Sequence, residues 1–148
     1  MTPAVAAVLA LWTLPNGHYV RACRPDCELR AAHIAHAVDG AEVMSGVDAR
    51  VMLAVGFLES SLLGRSNATS RGYWGMHRRS RLWLECSAPC DVEDQALVAA
   101  GDLARLRREC GSTEGALSAW QSGRCESETG KRYARRVMAL AGRIGSVF

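Results

Sequence analysis

The segment VMLAVGFLESS, residues 51–61, decides the fold of this chain, because it joins a helical apolar pattern to a single carboxylate at its end. Apolar residues at positions 51, 55, 58 and 62 fall on one face of a helix. Asp48 can cap this helix, which we expect to run to about Leu62. Glu59 is then poorly solvated, and poor solvation raises the pKa of a carboxyl group, as a general acid requires. The alternative is an exposed glutamate in the last turn of the helix.

The composition is that of one ordinary globular domain. The chain has 148 residues, of which 49% are hydrophobic and 22% are charged. A chain of this length buries a core without metals or crosslinks. Its net charge of +3 would favour an anionic polymer without demanding one. We find no basic helix and no basic patch interleaved with aromatic residues, so we predict no nucleic acid partner.

The N-terminal segment admits two interpretations. Ala4 to Trp12 is apolar enough for the hydrophobic region of a signal peptide, but the first basic residue is Arg21. Thr2 and Pro3 suit an N-cap followed by proline at the first helical position. We therefore expect a short helix of the folded protein. It is too short to span a membrane, which needs ~20 apolar residues.

The remaining segments are also helical in pattern, and nothing alternates with period two over any length. Residues 64–81 have no sustained period, so we expect an ordered loop there. The sequence therefore predicts an all-α fold in a single domain, with an N-terminal helical segment in residues 1–47 and a core in residues 48–145. The further helices that we expect run from Glu28 to Val38 with a stop near Gly40, from a cap at Asp91 to about Cys110, from a cap at Ser112 to before Gly123, and from about Glu128 to Arg143.

The even number of cysteines suits disulfides and an oxidising compartment. Two pairs have the spacing C-x-x-x-C, so a four-cysteine zinc site and reduced core thiols are the alternatives. A further metal alternative, His33 and His36 with the first cysteine pair, is weaker, and we predict neither a metal nor a cofactor. The short loops favour local pairing, namely Cys23 with Cys27, Cys86 with Cys90, and Cys110 with Cys125.

Four elements in order, followed by a tyrosine, resemble the lytic transglycosylase family, a branch of the lysozyme-like superfamily. Glu59-Ser60 follows an apolar helix, as the family's Glu-Ser does, and a small polar stretch occupies residues 66–72. Gly75-Met76-His77 stands where the family has a Gly-Leu-Met-Gln-like element. The segment ALSAWQSG, residues 116–123, stands where it has Ala-x-x-x-Tyr-Asn-x-Gly. A tyrosine then opens the C-terminal helix, as Tyr133 does.

The resemblance covers residues 48 to 145 and has two departures. The glutamine of the third element is replaced by His77, or by Arg78 if the alignment keeps its length. The tyrosine-asparagine pair is replaced by Trp120-Gln121. Both positions line the sugar-binding groove in the family.

The resemblance implies a lysozyme-like fold with a long groove loop after the catalytic helix, and peptidoglycan as the substrate. Glu59 would protonate the leaving glycosidic oxygen and then act as a base. Most glycosidases need a second carboxylate, yet the loop from Ser60 to Leu84 contains no acidic residue, and capping accounts for Asp91 and Glu93. In the family the N-acetyl group of the substrate assists, and the product carries a 1,6-anhydro-muramyl end.

Further site residues are expected around Glu59. Tyr133 would donate a hydrogen bond to Glu59, and the alternative is a core residue on an apolar stripe. Ser60 would support the site, and the alternative is a helix-end hydroxyl bonded to the backbone. Tyr73 and Trp74 would stack on sugars, and closure of the core is the alternative for Trp74. The other expected substrate contacts lie along the groove, namely Met76, His77, Trp120 and Gln121. The basic cluster of Arg78, Arg79 and Arg81 would face carboxylates of the substrate.

The resemblance therefore implies a peptidoglycan lytic transglycosylase, which we expect in a phage virion or outside the cytoplasm, in the periplasm or cell envelope. Its partners would be glycan strands and a virion or envelope assembly, without stable membrane insertion. The alternatives are a non-catalytic wall-binding or structural virion module of the same fold, and a hydrolytic lysozyme.

Overall fold

The computed structural model describes residues 1–13, 26–63, 70–77 and 90–146. These residues form helices joined by short connections, together with one small antiparallel ladder, so the predicted all-α class is confirmed. The lysozyme-like fold, the groove loop and the division at residue 48 stay predictions. The elements are α1 (Pro3–Trp12), α2 (Cys27–Ser45), α3 (Ala49–Ser60), β1 (Ser70–Arg71), β2 (Met76–His77), α4 (Val92–Cys110), α5 (Thr113–Ser122) and α6 (Glu128–Gly145).

The helix starts follow the capping residues of the sequence. Asp91 accepts a hydrogen bond from the Asp94 amide at 2.8 Å, and Ser112 accepts one from Gly115 at 2.9 Å. A side-chain oxygen that takes up an orphan amide in this way stabilises a helix by about 1 kcal/mol. The predicted caps at Thr2, Asp48, Asp91 and Ser112 are confirmed, and Ser127 caps α6.

The predicted stop of α2 near Gly40 is wrong. The helix continues to Ser45 and ends at Gly46, whose φ of +71° is the left-handed conformation that glycine adopts easily. A glycine inside a helix costs only about 1 kcal/mol. Val38 and Ala41 on either side of Gly40 are fully buried, and α2 packs along α4, so burial of this face outweighs the glycine.

Helix α3 lies at the centre of the core. Its residues 51–56 are all buried, which makes the buried surface wider than the single face that the apolar pattern predicts. A helix that is apolar all round is typical of a position surrounded by other elements. The core around α3 is built from residues of α1, α2, α4 and α6. The helix ends at Ser60 rather than near Leu62, so Glu59 stands in its last turn.

Helix α1 belongs to this core, as expected. Val8 and Trp12 are almost completely buried, and the Trp12 indole donates a hydrogen bond to the Ser61 carbonyl at 2.9 Å. This bond joins α1 to the turn that follows Glu59. None of the helices in the described ranges combines the length and the apolar character needed to cross a bilayer.

The Cys110–Cys125 disulfide is present, with the two Cα atoms 5.4 Å apart, as predicted. It joins the end of α4 to the segment before α6. Cys27 and Cys90 are also disulfide-bonded. Their predicted partners, Cys23 and Cys86, lie outside the described residues, so these two pairings stay predictions.

Candidate active site

Glu59 and Tyr133 meet at the centre of the candidate site. The Tyr133 hydroxyl donates a hydrogen bond to Glu59 Oε1 at 2.6 Å, across 74 positions of the sequence. Both side chains are half-buried. The bond forms because the apolar stripe of α6 packs on the core that surrounds α3, which brings the start of α6 to the end of α3. The predicted contact between the two residues is confirmed.

Burial controls the protonation of this pair. It raises the pKa of Glu59, and the hydrogen bond from Tyr133 partly opposes the rise. Burial, the charge of Glu59 and the same hydrogen bond raise the pKa of Tyr133, so its phenol stays protonated and remains a donor. The site therefore holds a carboxyl group that is a weaker acid than a free glutamate, beside a neutral donor that steadies its anion.

The raised pKa of Glu59 also makes the stability of the folded protein depend on pH. Its pKa in the folded state lies above the ordinary value of 4.5, so the folded protein binds this proton more tightly than the unfolded chain does. The stabilisation from the protonated form is fully present below pH 4.5 and is lost as the pH rises through the folded pKa. An ionised Glu59 is therefore unfavourable for folding at neutral pH.

Gly75 packs directly against the Glu59 side chain. A Cβ atom at this position would lie 2.5 Å from Glu59 Oε2 and 3.0 Å from Glu59 Cβ, and the φ of Gly75 is +62°. Only glycine fits both this backbone conformation and this close approach. Sequence reasoning placed Gly75 in a family element but missed this contact. A glycine between Trp74 and Met76 was the available signal.

The turn after Glu59 is strained. Ser61 and Leu62 have φ values of 58° and 56°, a left-handed conformation that is uncommon outside glycine and costs about 1–3 kcal/mol per residue. The Trp12 indole holds the Ser61 carbonyl, and the Leu62 amide donates to the Gly56 carbonyl at 3.2 Å. Backbone strain is thus stored directly beside the candidate acid.

Ser60 fixes the loop that carries Tyr73. Its buried hydroxyl donates to the Tyr73 carbonyl at 2.8 Å, so the backbone-bonding alternative describes what this hydroxyl does. The Tyr73 amide donates to Gln95 Oε1 at 2.9 Å, and Gln95 Nε2 donates to the Cys90 carbonyl at 3.1 Å. Gln95 is buried and positions the loop from α4. Sequence reasoning missed it, since a polar residue in an amphipathic helix gives no local sign of a buried partner.

The expected sugar contacts of Trp74 and Met76 require correction. Trp74 is completely buried and donates its indole hydrogen to the Met52 carbonyl at 2.9 Å. It lies over Gly56, where a Cβ atom would be 3.2 Å from the indole nitrogen. Met76 is also buried, with 2% of its surface exposed. Neither side chain can contact a sugar in this conformation, because both form the inner layer of the loop.

Tyr73 remains available as a stacking residue. It is half-buried, and its ring lies 5.9 Å from the Trp74 ring at an interplanar angle of 47°. The backbone of His77 pairs with Ser70 in the small ladder. A sugar contact of Tyr73 or His77 stays a prediction.

The second half of the expected groove is on α5. Trp120 is half-buried and packs on the core, while Gln121 is exposed. Within the described residues, neither shares a hydrogen bond with Glu59. The basic cluster of residues 78, 79 and 81 lies outside the described part of the chain.

The described residues place no second carboxylate beside Glu59. No other acidic side chain among them contributes to the shift of its pKa. Asp91 is engaged as the cap of α4, and Glu93 stands in the first turn of that helix. Across the same ranges, no three histidine, cysteine or acidic side chains are grouped as metal ligands.

Comparison with protein families, with curated proteins and with solved structures finds no match for this chain.

Proposed function

We propose that this chain is a peptidoglycan lytic transglycosylase in which Glu59 is the single general acid and base. The observation that carries the proposal is the 2.6 Å hydrogen bond from Tyr133 to a half-buried Glu59 whose pKa is raised by burial. A structural glutamate gains nothing from desolvation. A general acid that must hold a proton near neutral pH requires it.

The chemistry uses one carboxyl group twice, first as an acid and then as a base. Protonated Glu59 gives its proton to the glycosidic oxygen as the bond to the muramic acid carbon breaks, and the N-acetyl oxygen of the substrate attacks that carbon. The Glu59 carboxylate then takes the proton of the C6 hydroxyl, whose oxygen displaces the N-acetyl oxygen and closes the 1,6-anhydro ring. Glu59 ends protonated, so no second protein carboxylate is needed.

Tyr133 stabilises the ionised form of Glu59 that exists between these two steps. Its hydroxyl donates to Oε1, which leaves Oε2 to exchange the proton. Donation to the anion lowers its free energy without placing a positive charge in the site. Gly75 lies against Oε2 and bounds the carboxylate on that side.

Product analysis tests the proposal. Purified sacculi are digested with the protein, and the soluble fragments are separated and weighed by mass spectrometry. A transglycosylase yields anhydro-muramyl ends, each lighter by one water than the reducing end that a lysozyme produces. Glu59→Gln, which keeps the shape of the side chain and loses its proton, is the control and should release nothing. Reducing ends alone, or full release by the variant, would contradict the proposal.

A wall-binding or structural module of the same fold is the second candidate. It is favoured by the replacement of the family's groove residues by His77 and Trp120-Gln121. The burial of Trp74 and Met76 removes two expected sugar contacts, which favours the structural form of this module. Retention of the protein on sacculi without any soluble product would support this candidate. The Cys110–Cys125 disulfide favours an oxidising location, such as the periplasm, cell envelope or virion, for either function.

A further inference from the structure

Helix α6 carries an uneven distribution of charge around its axis. Its buried residues form one face, and Tyr133 lies at one edge of that face. At 100° per residue, Arg136, Arg143 and Arg132 follow this edge outward, between about 60° and 100° from Tyr133. We call these three residues the arginine edge. Sequence reasoning found no basic helix, because the charges are diluted by the apolar residues between them.

The arginine edge is not neutralised by the protein. All three side chains belong to exposed residues, and in the described part of the chain none of them forms an ion pair or a hydrogen bond. Other arginines behave differently. Arg105 bonds Asp102 and Glu109, and Arg135, on the outward face of α6 about 160° from Tyr133, lies 3.7 Å from Glu128.

The edge borders the candidate site rather than a remote surface. Arg136 follows Tyr133 by three residues, so the two lie on neighbouring positions of the helix surface. Burial and the negative charge of Glu59 raise the pKa of Tyr133, and the positive charge of Arg136 partly opposes them, which places that charge within electrostatic reach of the phenol. The three arginines extend along the helix for about 16 Å at 1.5 Å per residue.

We propose that the arginine edge is the anion-binding border of the Glu59 site and selects glycan strands that carry carboxylates. The inference rests on the proposed function and narrows its substrate to strands with free lactyl or stem-peptide carboxylates. Guanidinium groups bind carboxylates through paired N–H donors, whereas sugar hydroxyls offer them no charge. Uncharged amino-sugar polymers would gain nothing from this border.

Binding to sacculi tests the inference without depending on cleavage. The protein carries Glu59→Gln, and its retention on pelleted sacculi is measured over a range of concentrations at low and high salt. Arg132→Gln with Arg136→Gln is compared with the matched control Lys131→Gln with Arg135→Gln. Both pairs remove two positive charges from the same helix, so their net charge is matched. The control removes them from the outward face, where Arg135 is already paired with Glu128.

We expect the Arg132/Arg136 variant to bind roughly 3- to 30-fold more weakly than the parent at low salt, with the difference shrinking as salt rises. The control pair should change binding by less than about twofold. An equal loss in both pairs would mean that only net charge matters and would overturn the inference. No loss in either pair would also overturn it.

A second arm identifies the ligand chemistry. Sacculi whose carboxyl groups are converted to methylamides keep the same glycan and lose the anions. The parent should bind them as weakly as the Arg132/Arg136 variant binds untreated sacculi, and equal binding to treated and untreated sacculi would overturn the inference. If wild-type digestion gives no anhydro ends but the binding differences hold, the proposed activity fails and the anion-binding border stands.

Discussion

Replacing Gly75 by alanine is the most direct test of how the loop holds Glu59. The new Cβ atom would lie 2.5 Å from Oε2, 3.0 Å from Cβ and 3.1 Å from Cδ of Glu59. Rotation of the carboxylate alone relieves only the first contact. The Glu59 side chain or the loop backbone must therefore move, and either movement disturbs the 2.6 Å hydrogen bond with Tyr133.

The cost of Gly75→Ala has two parts. Holding alanine at a φ of +62° costs about 1–2 kcal/mol, and forcing a methyl group into a filled space costs about 1–3 kcal/mol more. Gly111→Ala is the matched control, because Gly111 has a φ of +78° and no heavy atom within 4 Å of its Cβ position. The control variant therefore carries the backbone part alone.

Urea denaturation and clearing of sacculi separate the two parts. Gly75→Ala should lower the free energy of unfolding by about 1–3 kcal/mol more than Gly111→Ala does. It should also slow clearing by at least about tenfold, since a displacement of Glu59 worth ~1.4 kcal/mol has that effect. If the two variants were equally stable and equally active, Gly75 would have no part in positioning Glu59.

Three further perturbations give independent outcomes. Glu59→Gln should abolish clearing, a loss of at least about 100-fold, and should raise the melting temperature at pH 7 more than at pH 4, because the desolvated anion is present only at the higher pH. A uniform effect across pH would contradict the raised pKa. Tyr133→Phe should slow clearing about tenfold and move the alkaline limb of the pH profile upward, since the anion loses its donor while the ring is kept. An unmoved limb would exclude this role. Replacing Cys110 and Cys125 by serine should lower the free energy of unfolding by about 3 kcal/mol for a 15-residue loop, as followed by urea denaturation, and an unchanged midpoint would contradict that contribution.

Local signals in the sequence were enough for much of the fold. The caps at Asp91 and Ser112 are side-chain properties that act within three residues, so they were found where they were expected. The stripe that begins at Tyr133 follows the helical period and is buried as predicted. The end of α2 was misplaced because packing of the helix outweighed the preference of Gly40, and that packing depends on residues distant in the sequence.

The candidate site could be predicted from the sequence only in part, for the same reason. Glu59 and Tyr133 were paired by resemblance to a family, and the structure confirms their contact. Two of the contacts that fix them join segments 22 or more positions apart, namely Trp12 on the Ser61 carbonyl and Gln95 on the Tyr73 amide. The third, Gly75 on the carboxylate, depends on a single φ angle. No periodic pattern encodes such contacts, which is why Trp74 and Met76, both assigned to sugar binding, were found in the core.

The cost of this arrangement favours a functional role for Glu59 over a structural one. The turn after it holds Ser61 and Leu62 in a left-handed conformation, a strain of about 1–3 kcal/mol for each residue. Glu59 itself loses solvation, and its raised pKa makes its charged form unfavourable for folding at neutral pH. A glutamine would relieve the charge and a glycine would relieve the turn, each without altering the helices. A core selected for stability alone has no reason to keep both features at one helix end. A site that must hold a proton on a fixed carboxyl group requires the burial directly, and Gly75 and Tyr133 are packed against that group.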